Sequence, residues 1–334
     1  MKKIKKIKNR IISLLLISVM IFNSNAYAAV PEYIGSGYLL YNDKAYAKLN
    51  FSTKRNKDYI DALKVIQALF KDAVVSYVPV PQSQIIIENE KSIVDEGYTF
   101  LNQKDALKQL NEWIDGDINL VDMYDNLLEH KDEYIYFDYD LHWTSRGAYY
   151  GYEAFCKSRG LPYKPLDTYT EHLLNNSYKG SAYMYTNDAR IADKRDKLYA
   201  YQSDVTDKLE IISNLGNNIG EMTCINLKSK TYSGVFIGGD QPLEVITSYR
   251  SLLDDKDMNK DTRCALVIKD SFGCAFVPYL TYNYDVILVV DPRFADFKLV
   301  DRVKDYKIND IIVVNAMYGP AKDDILANLV NMIS

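Results

Sequence analysis

Apolar positions along this chain follow two rhythms that alternate. Between Lys57 and Phe70 the side chains Ile60, Leu63, Ile66 and Leu69 recur at close to 3.6 residues, which predicts a helix packed on one face. Ala73 to Val78 is an unbroken, β-branched apolar run closed by Pro79 and Pro81, the pattern of a buried strand. The order then repeats: a helix over Asn102 to Trp113, a strand over Ile118 to Val121, a helix over Met123 to His130 and a short strand over Tyr134 to Phe137. Near the C-terminus, Val235 to Ile237, Cys264 to Ile268, Val286 to Val290 and Ile311 to Val314 read as strands. Ala275 to Thr281 and Lys322 to Met332 read as helices. This alternation predicts an α/β fold of three layers, a mostly parallel central sheet covered by helices.

Two stretches depart from the rhythm. Val30 to Ser52 is tyrosine-rich and irregular, with Tyr38 to Tyr41 as a strand candidate. Residues 161–233 are polar and turn-rich, with strand candidates at Leu198 to Tyr201, Lys208 to Ile212 and Met222 to Leu227 and a turn cluster from Asn214 to Gly220. They read as a β-rich insertion within one domain spanning 29–334. Gly180 and Ser181 inside it form a tight-turn pair.

The first 28 residues are read as a signal peptide. Met1 to Arg10 holds six basic residues and no acid, Ile11 to Phe22 is a short apolar run, and Ala26, Tyr27 and Ala28 form a cleavage signal. Export follows, to the cell surface or medium; an uncleaved N-terminal membrane anchor is the alternative. Losing the six basic residues takes the formal charge from −5 to −11, which argues against a nucleic-acid partner. The 29 tyrosines offer faces for sugar rings, although half-buried packing is their commoner use. Cys156, Cys224, Cys264 and Cys274 show no C-x-x-C pairing, so buried free thiols stand beside disulfides as readings.

Chemistry concentrates in two segments. Asp140 and His142 lie two residues apart just before Thr144, an N-cap for a helix over Gly147 to Lys157. Ser271 follows the apolar strand ending at Ile268 and precedes a helix. A serine nucleophile, a histidine base and an acid orienting the histidine are what acyl transfer at neutral pH requires. In a doubly wound sheet both segments would sit at the carboxyl edge, where ligands bind. Backbone N–H groups at Ser271 and at Gly239, beside Gly238, are candidates for an oxyanion hole. Trp143, Asp240 and Arg293 are candidates for substrate contact. Asp138, Asp140 and His142 also admit a metal reading, but no second histidine lies at ligand spacing, so no metal and no cofactor is expected. A helix cap at Asp270 or Ser271 and a structural role for His142 are the plainer alternatives.

Asp140-Leu141-His142-Trp143-Thr144, followed by Gly147-Ala148-Tyr149-Tyr150, resembles the segment that defines DHHW proteins and alginate-acetylation-type acetyltransferases, within the SGNH (GDSL) hydrolase superfamily. Lys269-Asp270-Ser271-Phe272 resembles their nucleophile block, and Gly238-Gly239-Asp240 and Asp291-Pro292-Arg293 resemble further landmarks. The acid–histidine pair precedes the serine here, a permuted order relative to ordinary GDSL hydrolases. Lys269 stands where a glycine is usual, Leu141 replaces the extra histidine, and Asp240 occupies the position nearest the superfamily's oxyanion asparagine. The resemblance implies an SGNH-like fold and O-acetyl transfer to a cell-surface or secreted polysaccharide, with Ser271, His142 and Asp140 as the triad. It also implies an MBOAT-type membrane protein as acetyl donor. Acetylester hydrolysis uses the same residues, and a catalytically silent carbohydrate-binding or assembly protein would keep the same fold.

Overall fold

The strands Cys264–Lys269 and Asp310–Ala316 are buried at every position, as continuous apolar runs in a parallel sheet demand. The computed structural model describes residues 31–48, 51–87, 102–116, 118–250, 261–321 and 323–334. The signal-peptide reading of 1–28 lies outside them. The strands are β1 (Glu32–Gly35), β2 (Tyr38–Tyr41), β3 (Lys44–Ala47), β4 (Val74–Val80), β5 (Asn119–Leu120), β6 (Thr170–Tyr178), β7 (Asp196–Gln202), β8 (Asp207–Ile212), β9 (Asn218–Met222), β10 (Leu243–Ser248), β11 (Cys264–Lys269), β12 (Val286–Val290) and β13 (Asp310–Ala316). The helices are α1 (Thr53–Leu69), α2 (Gln103–Ile114), α3 (Tyr124–Glu129), α4 (Ser145–Arg159), α5 (Ser181–Thr186), α6 (Tyr232–Val235), α7 (Gly273–Leu280), α8 (Leu299–Val303) and α9 (Asp323–Ile333).

Eight strands form the main sheet in the order β5-β4-β13-β11-β12-β10-β8-β9. Pairing is parallel from β5 through β12 and antiparallel from β12 through β10 and β8 to β9. The register sets Ile268 of β11 beside Val290 of β12 and Val313 of β13. The segments that follow these strands, 270–274, 291–293 and 317–319, therefore leave the sheet at one edge. Helices α1, α2 and α9 pack together, as do α3, α4 and α7. A separate three-stranded antiparallel sheet, β1-β2-β3, buries Ile34, Tyr38 and Ala45 against Tyr139, Ala182 and Ile191.

Several details differ from the sequence reading. β4 runs through Pro79. Tyr77 accepts from Val121 on the β5 side, so Pro79, two residues on, also faces that side. β5 has already ended there, and the ring's missing N–H leaves no ladder bond unmade. Residues 161–233 are not wholly an insertion apart from the sheet. β6 and β7 pair with each other, but β8 and β9 extend the main sheet through β10. β9 occupies part of the expected turn cluster, because the turn tightens to Ser213–Asn217, closed by the Asn217 carbonyl on the Ser213 N–H, with Gly216 at φ +89°. Val235 to Ile237 is not a strand: α6 ends there and a single bridge joins Phe236 to Ile225. Tyr134 to Phe137 contributes only a bridge from Tyr136 to Trp143. All four cysteines are buried free thiols.

β10 escaped the sequence reading because Glu244 interrupts its apolar pattern. Its carboxyl group is fully buried, and neither oxygen has a hydrogen-bond partner among the described residues. Burial drives its pKa well above the carboxylate range; Lys269 opposes this, while Asp240 and Asp291 add to it. Glu244 is then neutral in the folded chain and ionised in the unfolded one above its ordinary pKa, so the stability it allows at low pH is lost as pH rises toward the folded value. Glu244→Gln is therefore expected to melt above the wild type, by a margin that widens between pH 5 and pH 8. A pH-independent margin in thermal melts would show that Glu244 does not titrate this way.

Candidate active site

Residues 136–143 form a tight loop closed by the Tyr136–Trp143 bridge, with the Phe137 N–H reaching toward the His142 carbonyl. Trp143 is fully buried and stacks on Phe276 of α7, and its indole N–H donates to the Phe272 carbonyl at 2.9 Å. One indole thus fastens this loop to the residue that follows Ser271. Thr144 caps α4, its Oγ1 accepting from the Gly147 N–H.

Asp140, His142 and Ser271 stand in a line across that junction. Asp140 Oδ1 lies 2.6 Å from His142 Nδ1, and His142 Nε2 lies 2.8 Å from Ser271 Oγ. Asp140 is 2% exposed and accepts four contacts. Oδ1 takes the His142 ring and its backbone N–H (3.0 Å); Oδ2 takes the Ser181 N–H (2.8 Å) and the Tyr178 hydroxyl (3.0 Å). Burial pushes its pKa up, but the His142 ring and the two backbone N–H groups outweigh that and hold it at about 2. An ionised Asp140 fixes the Nδ1–H tautomer, which leaves Nε2 free to accept from the Ser271 hydroxyl. Among the described residues no acceptor takes the Ser271 N–H.

Three further residues complete this arrangement, and all come from 161–233. Tyr178 ends β6, and Ser181 begins α5. Tyr232 of α6 stacks on the His142 ring with centroids 4.4 Å apart and planes 17° off parallel, and its hydroxyl donates to the Ser271 carbonyl at 3.4 Å. The sequence carried one signal for this group, the Gly180–Ser181 pair; it reads as a tight turn, but Gly180 is the extended N-cap of α5 and Ser181 its first residue. A Cβ on Gly180 would sit 2.1 Å from the Tyr139 carbonyl oxygen, so glycine lets α5 approach the acid's loop. The tyrosines gave no signal of their own.

Four expected site residues have other partners. Trp143 is sealed in the core and cannot touch substrate. The Gly239 N–H is spent on the Phe236 carbonyl at 2.9 Å, so it does not serve an oxyanion. Arg293 is bidentate to Asp291 (2.9 and 2.6 Å) and also reaches Asp240 at 3.0 Å. Asp240 in turn accepts from Lys269 Nζ at 2.8 Å. The Lys269 side chain is wholly enclosed, and its ammonium also meets the Gly239 carbonyl (3.0 Å), Asp291 (3.3 Å) and the Cys274 sulfur (3.2 Å). Arg293 and Asp240 thus belong to an ion cluster beside the site; burial pushes the Asp240 pKa up, but Lys269 and Arg293 outweigh it and hold the carboxyl below the usual range.

The family model described as DHHW protein matches residues 17–290. Among solved structures, a DHHW family protein from Eubacterium siraeum superposes with a TM-score of 0.78 at 23% identity, covering 92% of this chain and 99% of that one. Bacillus cereus PatB1 with a sulfonyl adduct gives 0.66 at 16% identity, over 89% and 98% of the two chains. The O-acetyltransferase domain of Pseudomonas putida AlgJ gives 0.51 at 12%, over 88% and 99%. At these identities the likeness is one of fold. No curated protein matches the chain.

Gly180→Ala is expected to lower the unfolding free energy by about 1–3 kcal/mol, the usual penalty of an overpacked contact. Chemical denaturation measures it directly, and an unchanged value would mean that the acid's loop does not depend on this close approach.

Proposed function

The chain belongs to the DHHW protein family, and from that membership and the Asp140–His142–Ser271 line we propose that it is an exported serine-dependent O-acetyltransferase or acetylesterase acting on a cell-surface or secreted polysaccharide. The observation that carries the reading is the continuous hydrogen-bonded line from a buried carboxylate through His142 to Ser271 Oγ. The fold likeness to a domain described as an O-acetyltransferase supports the choice of acyl group.

In this reading Ser271 Oγ attacks the carbonyl carbon of an acetyl ester while its proton passes to His142 Nε2. The ionised Asp140 stabilises the resulting imidazolium through Nδ1–H. The Ser271 N–H is one donor to the oxyanion of the tetrahedral intermediate. Collapse expels the alcohol of the donor, which takes the proton from His142 and leaves acetyl-Ser271. A sugar hydroxyl then gives up its proton to Nε2 and attacks the acetyl carbon; collapse breaks the bond to Ser271 Oγ, which takes the proton from His142, leaving free serine and an O-acetylated sugar. Water in place of the sugar gives acetate. The acetyl donor in this proposal is an ester or an acetylated MBOAT-type membrane partner, and the step at Ser271 is the same for both.

Ser271→Ala should reduce turnover of a small acetyl ester by about 10³-fold or more, as removal of a triad member does, with its melting temperature close to that of the wild type. Near-wild-type turnover in that variant would put the nucleophile elsewhere. Incubation with the ester and an oligosaccharide should give a transient 42 Da acetyl adduct on the protein by intact mass, an increment fixed by the acetyl group itself; transfer then appears as acetylated sugar and hydrolysis as acetate. Activity should survive EDTA. Its loss, with recovery on adding a divalent cation, would replace the triad by a metal centre.

A further inference from the structure

Lys269 takes no part in the acyl-transfer steps, yet it is a fully enclosed charge two residues before Ser271. It ends β11, and its ammonium gathers the two neighbouring segments at the same edge. One is the turn Ile237-Gly238-Gly239, whose three successive residues have φ of +48°, +74° and +90° and present the Gly239 carbonyl to Nζ. The other is Asp291, the residue after β12, itself clamped by Arg293. Asp240 closes the ring against both cations. Cys274, in the first turn of α7, adds its sulfur at 3.2 Å from Nζ and 3.4 Å from Asp240. The formal charges of Lys269, Arg293, Asp240 and Asp291 cancel.

Two features mark this arrangement as more than ballast. A buried ion pair gives little net stability over a well-packed apolar replacement of similar volume. A β-branched residue in the left-handed region, such as Ile237 at φ +48°, is strained, and here the strained turn directs a carbonyl at the ammonium. Neither is what a chain selected for stability alone would hold beside a nucleophile.

We propose that Lys269 is a positioning residue: its ammonium ties the end of β11 to the glycine turn and to Asp291, and thereby holds Ser271 Oγ at reacting distance from His142 Nε2. This deepens the acyl-transfer reading and rests on it for the kinetic effect, while the geometric effect is measured independently. A misplacement on the order of 1 Å costs about 10²-fold in rate.

The test uses the double variant Lys269→Met/Asp240→Asn, which removes one charge of each sign and keeps the cluster neutral. Melting temperature, a crystal structure, kcat and KM on an acetyl ester, and the rate of Ser271 labelling by a sulfonyl fluoride are measured beside the wild type. The expected result is a folded protein whose Ser271 Oγ has moved beyond hydrogen-bond reach of His142. Its kcat and labelling rate should fall about 10- to 100-fold while KM stays within twofold. A folded variant that keeps the 2.8 Å contact and a kcat within twofold overturns the proposal. If the methionine variant does not fold, Lys269→Ala/Asp240→Asn, which likewise leaves the Gly239 carbonyl and Asp291 without their tie to β11, is judged by the same readings. A wild type that turns over no acetyl ester defeats the acyl-transfer reading, and the crystallographic distance in the variant still decides the role of Lys269.

Discussion

A carboxylate removed from water has to be met by donors on every side, and Asp140 recruits its donors from two distant parts of the chain. Its own loop supplies the His142 ring and backbone, and residues about 40 positions later supply the Ser181 N–H and the Tyr178 hydroxyl. The acid–histidine loop therefore has a defined shape only when β6 and α5 are in place. Tyr232 extends the dependence by covering one face of the imidazole. Much of the surroundings of His142 thus comes from a segment that carries none of Asp140, His142 and Ser271.

The rest comes from the sheet. Parallel register brings the ends of β11, β12 and β13 to one edge, and polar contacts keep them there. Asp270 ties the Ser271 turn to β13, with Oδ1 accepting from the Phe272 N–H and Oδ2 from the Ala316 N–H. Lys269 ties it to the β12 side. Ser271 sits between these two anchors, and Trp143 adds a third from above through the Phe272 carbonyl. Apolar packing alone would leave the turn free to slide, because it has no preferred direction; hydrogen bonds and ion pairs supply the direction.

Much of this was legible in the sequence, and the misses have physical causes. The juxtaposition of Asp140, His142 and Ser271 was legible because an acid, a histidine and a serine are few and distinctive at strand ends, and because an apolar strand followed by Asp-Ser marks such an end. The helices α1 and α2 and the strands β11 to β13 were visible from periodicity. β10 was hidden by Glu244, a polar residue at a core position. β9 was hidden by Asn218 and Gly220, which favour turns. Tyr178 and Tyr232 were indistinguishable among 29 tyrosines, since tertiary contact alone gives them a role. Asp240 and Arg293 were read as facing substrate because they follow strand ends, but a lysine at the end of an apolar strand needs countercharge. Lys269 was the unheeded clue.

The small sheet β1-β2-β3 has a consequence for the order in which this protein can assemble. The Ala45 N–H donates to the Asp138 carbonyl and the Tyr139 hydroxyl to the Asp43 carbonyl, and the sheet's apolar face has no cover until Tyr139, Ala182 and Ile191 arrive. An isolated sheet of this size is marginal in water, and a chain made from its N-terminus exposes it first. It must wait for roughly 150 further residues before its partners exist. During that interval its edge strands and tyrosines are open to pairing with another chain. Until residues 139–191 have emerged, β1-β2-β3 is thus a part of the chain open to misassociation, and a chaperone that shields these three strands would raise the yield of folded protein.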